Sequence, residues 1–132
     1  MKNILFFLSL MLFISCSSDE EPINDQQLNG NWFLTDIDCF CGFDSSIEIK
    51  DFKLRIDDSE KVLYLNNPTE DYFYIAESGA YEYVLETGSI IKVIGGDSFY
   101  YELQGSKLYL TRIDDPAIAD DELYLIYERA GN

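Results

Sequence analysis

Ile90-Ile91-Lys92-Val93-Ile94-Gly95-Gly96-Asp97-Ser98-Phe99-Tyr100-Tyr101-Glu102-Leu103-Gln104-Gly105-Ser106-Lys107-Leu108-Tyr109-Leu110 is the stretch that decides the fold. It holds three short apolar runs, residues 90–94, 99–103 and 108–110, joined by connections that fit only hairpins. Gly95-Gly96-Asp97 and Gln104-Gly105-Ser106-Lys107 supply the turns, where glycine takes positive φ at little steric cost. Phe99, Tyr101 and Leu103, then Leu108 and Leu110, recur every second residue. Side chains two apart share one face of a strand, so each set marks a buried side.

The same texture extends in both directions. Alternation recurs in Phe52, Leu54 and Ile56 and in Tyr81, Tyr83 and Leu85. Residues 32–37, 62–65, 72–75 and 123–129 are further candidate strands, giving about nine in all at roughly ten-residue spacing. Glu77-Ser78-Gly79 is expected to join the run at 72–75 to the next as a hairpin. No helical period of useful length survives the Gly, Pro and Asp interruptions, apart from a short turn at residues 116–119. An all-β chain with a nearly unbroken meander removes its edges best by closing. The expected fold is a small antiparallel up-and-down barrel of about eight to nine strands. A two-sheet sandwich is the alternative.

Composition narrows the function. The chain has 132 residues, 9 Lys plus Arg, 25 Asp plus Glu and no His. That length suits one domain. A formal charge of −16 argues against nucleic acid as a partner, because phosphate binding needs clustered bases. The lack of His removes imidazole acid–base chemistry and the common catalytic zinc sets. Nothing fixes a carboxylate pair at a glycosidase separation, and no phosphate-cradling loop or nucleophile elbow is present. The expectation is a non-enzymatic protein without metal or cofactor. Asp114-Asp115-Pro116 and Asp120-Asp121-Glu122 gather carboxylates but lack the spacing of a calcium loop.

The first residues read as an address. After Met1-Lys2-Asn3, residues 4–14 are apolar except for Ser9. As a helix they would reach roughly 16 Å, about half a hydrocarbon layer, which fits a secretory signal and not a membrane span. Phe13-Ile14-Ser15-Cys16 resembles the lipobox of bacterial lipoproteins, with Phe13 departing from the Leu usual at its position. The resemblance implies cleavage before Cys16, acylation of Cys16 and attachment to a membrane through it. An incidental cysteine beside an ordinary cleavage site is the alternative. Ser17, in place of an aspartate resembling an inner-membrane retention signal, points to the outer membrane. Asp19-Glu20-Glu21 resembles a surface-export signal of some Gram-negative lipoproteins and equally suits a solvated tether. The expected division is signal peptide 1–15, acidic tether 16–27 and barrel domain 28–132.

Gly30-Asn31-Trp32 at the start of the first strand, with Arg129 on the last, resembles the lipocalin-like families. There the Trp plugs one end of the barrel and the Arg lies across its ring. A guanidinium over an indole contributes about 0.5–2 kcal/mol. The Thr-Asp-Tyr motif of classical lipocalins is missing. The resemblance implies a ligand-binding barrel, with Phe52, Leu54, Tyr81, Tyr83, Phe99 and Tyr101 lining a site for a small apolar or amphipathic ligand.

Two features stand apart. Cys39-Phe40-Cys41 would form a disulfide only if the chain bends, because i and i+2 of a straight strand lie close to 7 Å apart. Gly42 makes that bend feasible, and two free thiols or a redox pair are the alternatives. Rows of tyrosines, Tyr72 with Tyr74 and Tyr100 with Tyr109, could face outward and meet a protein or glycan. The second functional expectation is therefore an interaction lipoprotein, an inhibitor or accessory subunit, working through an acidic, Tyr-rich surface.

Overall fold

A computed structural model describes residues 28–39, 41–42, 44–114 and 122–131. Eight strands follow in order: β1 (Gly30–Asp38), β2 (Lys53–Asp57), β3 (Val62–Asn66), β4 (Gly79–Glu86), β5 (Ile90–Val93), β6 (Ser98–Gln104), β7 (Lys107–Arg112) and β8 (Tyr124–Arg129). Each pairs antiparallel with the next, and β8 pairs antiparallel with β1 to close the barrel. Because β1 is hydrogen-bonded on both sides, the sandwich is excluded. Closure leaves no sheet edge to template aggregation.

Alternation builds the interior. Trp32 and Leu34, Leu54 and Ile56, Leu63 and Leu65, Tyr83, Ile91 and Val93, Phe99, Leu108 and Leu110, and Leu125 and Tyr127 are all buried in one cluster. Every strand contributes to it. An eight-strand barrel is just wide enough for such side chains to fill.

The two ends differ. At one, β2–β3, β4–β5 and β6–β7 are joined by turns of two to four residues, with Gly105 at φ +61° in the tightest of them. At the other end lie residues 67–78, the described residues that follow β1 and lead into β2, and the described residues that flank the connection between β7 and β8. A β-bulge separates Leu34 from Asp36 in the pairing with β8, and the Thr35 hydroxyl donates to the Ile126 carbonyl at 3.0 Å. One extra residue reverses which face the later side chains take. Trp32 and Leu34 point inward before the bulge; Ile37 and Cys39 pack against the core after it. β1 pairs with β2 only through Phe33, and beyond that point the Leu34 N–H donates to the Phe52 carbonyl at 3.0 Å. A 3-10 turn at Ile49–Asp51 leads into β2.

The ninth expected strand is absent. Residues 72–75 form no ladder; they bend across the long-loop end, and Tyr72, Tyr74, Ile75 and Ala76 pack against the core. Their apolar character reflects burial on the barrel mouth and not pairing. The segment is pinned at its base, not by a hairpin at 77–79. There the Asn67 N–H donates to the Ser78 hydroxyl and the Asn67 amide donates to the Ala76 carbonyl, both at 2.9 Å. Ser78 precedes β4, and Gly79 is its first residue. The expected helical turn at 116–119 lies outside the described residues, as do the expected signal peptide and tether.

Candidate functional site

Gly30, Trp32 and Arg129 meet at the short-turn end. The Arg129 guanidinium carbon lies 4.1 Å from the Trp32 ring centroid. The indole N–H donates to the Leu28 carbonyl at 2.9 Å, and Arg129 Nη1 donates to the Asn29 carbonyl at 2.6 Å. Gly30 has φ +139°, and a Cβ there would stand 2.6 Å from Arg129 Nη1. The residue before Asn31 is therefore glycine for two reasons, backbone conformation and the guanidinium that occupies its side-chain space. These three residues seal an end and line no cavity at the mouth.

Gly30→Ala is expected to cost about 1–3 kcal/mol of stability, from strain plus displacement of the stack. Part of that cost should vanish in an Arg129→Ala background, giving a coupling of about 0.5–3 kcal/mol in a double-mutant cycle of urea unfolding. A coupling of zero would mean that φ alone demands the glycine.

Two cavities open at the mouth. One of about 450 Å³ runs between the Cys39–Cys41 segment and Tyr72, Phe73 and Tyr74, with Arg112, Glu122 and Leu123 completing it. A second of about 280 Å³ adjoins it, lined by Ile37, Ile49 and Asp36, and shares Tyr74 and both cysteines. Cys39 and Cys41 are disulfide-bonded, with Cα atoms 5.2 Å apart, closer than a straight strand allows. Tyr74 packs on Phe52, ring centroids 4.9 Å apart. Burial, and then the neighbouring Tyr72, hold the Tyr74 hydroxyl above its ordinary pKa. Burial, and then Tyr74, push that of Tyr127 higher still. Both phenols stay neutral through physiological pH.

Arg112 is the residue sequence reasoning missed. It continues the inner row of Leu108 and Leu110 and pairs with the buried Phe99, so the alternation that marked the core also aims this cation at the mouth. Its Nε is buried and makes no hydrogen bond. Asp97 Oδ2 stands 3.7 Å away, beyond hydrogen-bond reach.

The six residues expected to line a ligand lie elsewhere. Phe52, Leu54, Tyr83 and Phe99 are buried in the filled interior, and Tyr81 and Tyr101 are partly buried against it. Tyr83 reaches the short-turn end, where its hydroxyl donates to Asp58 at 3.3 Å. None of the six borders the two mouth cavities. Of the paired tyrosines, Tyr100 and Tyr109 face outward as expected, and Tyr72 and Tyr74 do not. Tyr72 and Tyr74 cover the mouth, and Tyr109 stacks on Tyr124 at 6.1 Å while Tyr100 stays exposed.

A further depression of about 530 Å³ lies on the outer wall of β1–β3, between Phe33, Lys53, Arg55 and Tyr64. Of its two cations, Arg55 is already engaged, and Lys50 lies beside the depression on the same wall. Arg55 lies 3.6 Å over the Tyr64 ring and 3.3 Å from Asp57, and Lys50 sits 5.9 Å over Phe33. Among the described residues no group of three or more His, Cys, Asp or Glu side chains is placed to hold a metal ion. Asp115, Asp120 and Asp121 fall outside them. No protein-family model matches the chain, and no curated protein is significantly similar to it in sequence.

Proposed function

We propose that the protein is a lipid-anchored outer-membrane lipoprotein whose barrel is a non-enzymatic binding module, holding a small apolar or amphipathic ligand at its long-loop mouth. The observation that carries this reading is the asymmetry of the barrel. One end is stoppered by Trp32 and Arg129, and the other opens into an aromatic cavity of about 450 Å³, within the range of small-molecule sites. The interior is filled, so the ligand rests above the core and not inside it.

The test is titration of the protein from Cys16 onward with N-phenyl-1-naphthylamine, an uncharged fluorescent apolar probe. Saturable binding is expected. Tyr74→Ala, which removes the wall between the two mouth cavities, is expected to weaken it by about tenfold or more, the scale of one lost aromatic contact. An unchanged affinity in that variant would remove the mouth from consideration.

A second reading is an interaction lipoprotein docking a protein or glycan. It is favoured by the Tyr109–Tyr124 stack and exposed Tyr100 on the outer wall of β6–β8 of an acidic molecule. Probe binding lost in Tyr109→Ala and kept in Tyr74→Ala would select it.

A further inference from the structure

We infer that the ligand taken at the mouth is a zwitterion, its acid oxygen held by Arg112 and its ammonium facing the carboxylates and rings opposite. This rests on the mouth-binding reading above and goes further by naming the ligand's chemistry. Three observations lead to it.

The first is the state of Arg112. Register places its stem on the inner row, and its Nε is out of solvent without an acceptor. The rest of the side chain is about a third exposed and borders the cavity, so the guanidinium can meet a ligand oxygen there. The Asp97 carboxylate at 3.7 Å offsets the charge while leaving that donor unfilled. Arg forks suit carboxylate and phosphate oxygens best.

The second is the sign of the surroundings. The same cavity is bordered by Asp71 and Glu122, in a molecule of formal charge −16. A simple anion approaching Arg112 is repelled by this field, and its entry would be penalised. A ligand carrying its own cation meets no such penalty.

The third is the aromatic wall. Tyr72, Phe73 and Tyr74 form one side of the cavity, and Phe73 is nearly half exposed. Ring faces attract ammonium groups, quaternary ones included. The cavity therefore offers one donor for an acid oxygen and several acceptors for a cation, in a space that suits a compact headgroup.

A zwitterionic phospholipid headgroup and a free zwitterionic metabolite share this chemistry, and the experiment separates them. The protein from Cys16 onward is titrated calorimetrically, below micelle formation, with dodecylphosphocholine, dodecanoate, dodecyltrimethylammonium and dodecyl maltoside, and separately with glycerophosphocholine. Dodecylphosphocholine is expected to bind about tenfold or more tighter than the other three, the scale of one charge-assisted hydrogen bond. Arg112→Gln should abolish its advantage over dodecyltrimethylammonium and leave dodecyl maltoside unchanged. Arg112→Lys, which keeps the charge without the fork, should restore part of that advantage and so separate recognition from misfolding. Glycerophosphocholine binding would indicate a free small molecule; its failure beside tight dodecylphosphocholine binding would indicate a lipid. Equal or tighter binding of dodecanoate or of dodecyltrimethylammonium, or an Arg112→Gln ranking identical to the parent, would overturn the zwitterion and leave the mouth site standing. If none of the four amphiphiles binds, the zwitterion falls, and the mouth site falls with it only if N-phenyl-1-naphthylamine binding is also absent or indifferent to Tyr74→Ala.

Discussion

Trp32→Ala is expected to lower the stability of the barrel domain by about 3–5 kcal/mol, enough to unfold a substantial fraction of the molecules at 37 °C. The indole is 1% exposed and fills the short-turn end, so truncation leaves a void that the closed sheet cannot collapse to refill. Two polar consequences add to the lost packing. The Leu28 carbonyl loses its donor, and the Arg129 guanidinium loses the ring beneath it. The effect also reaches closure itself, because Trp32 and Arg129 are opposite one another in the β1–β8 ladder. Trp32→Phe keeps much of the volume and should cost clearly less. Unfolding in urea followed by far-ultraviolet circular dichroism checks both, since Trp32 is the only Trp and its fluorescence disappears with it. A loss under 1 kcal/mol for the alanine variant would show that the stopper is dispensable.

Much of this barrel is readable from residue spacing. Phe99, Leu108, Leu110 and Leu125 are buried where alternation puts them, and the glycine turns set their strands antiparallel. A short motif, Gly30-x-Trp32, reports one end of the molecule because its parts touch: the glycine has no side chain where Arg129 lies. The mouth is harder to read. Tyr72-Phe73-Tyr74-Ile75 carries the composition of a strand, yet local composition records burial and not the partner, and a loop folded onto a barrel end is buried as well. The bulge at Thr35 leaves no mark in composition, so the inward turn of Ile37 and Cys39 is invisible until the β1–β8 register is known. Arg112 was legible in principle. A cation at the next inner position after Leu108 and Leu110 breaks an apolar row, and such a break at a strand end marks a place where the interior meets solvent.

Cys16→Ser is expected to have the largest effect on where the protein resides, converting it from a membrane-pelleted to a soluble exported species. Acyl chains contribute about 0.8 kcal/mol per buried methylene, and one myristoyl-length chain alone anchors only marginally. Two or three chains on one residue hold a protein durably, and under the proposed lipoprotein reading loss of the Cys16 thiol removes most of that energy at once. From Cys16 onward the chain carries 25 acids against 8 bases (9 less Lys2), so anionic lipid repels it, and the described residues contain no helix long and apolar enough to cross a membrane. The prediction also distinguishes anchoring from folding. Cys16 precedes Leu28, the first described residue and the first buried one, by twelve positions, so the serine variant should unfold at the same urea concentration as the parent. Detergent-phase partitioning, metabolic labelling with palmitate and the urea midpoint are measured together. Persistent membrane attachment and labelling in the variant would refute Cys16 as the anchor. A shifted midpoint with unchanged partitioning would instead assign the residue to the domain, and the tether between them would have to be rethought as part of the fold.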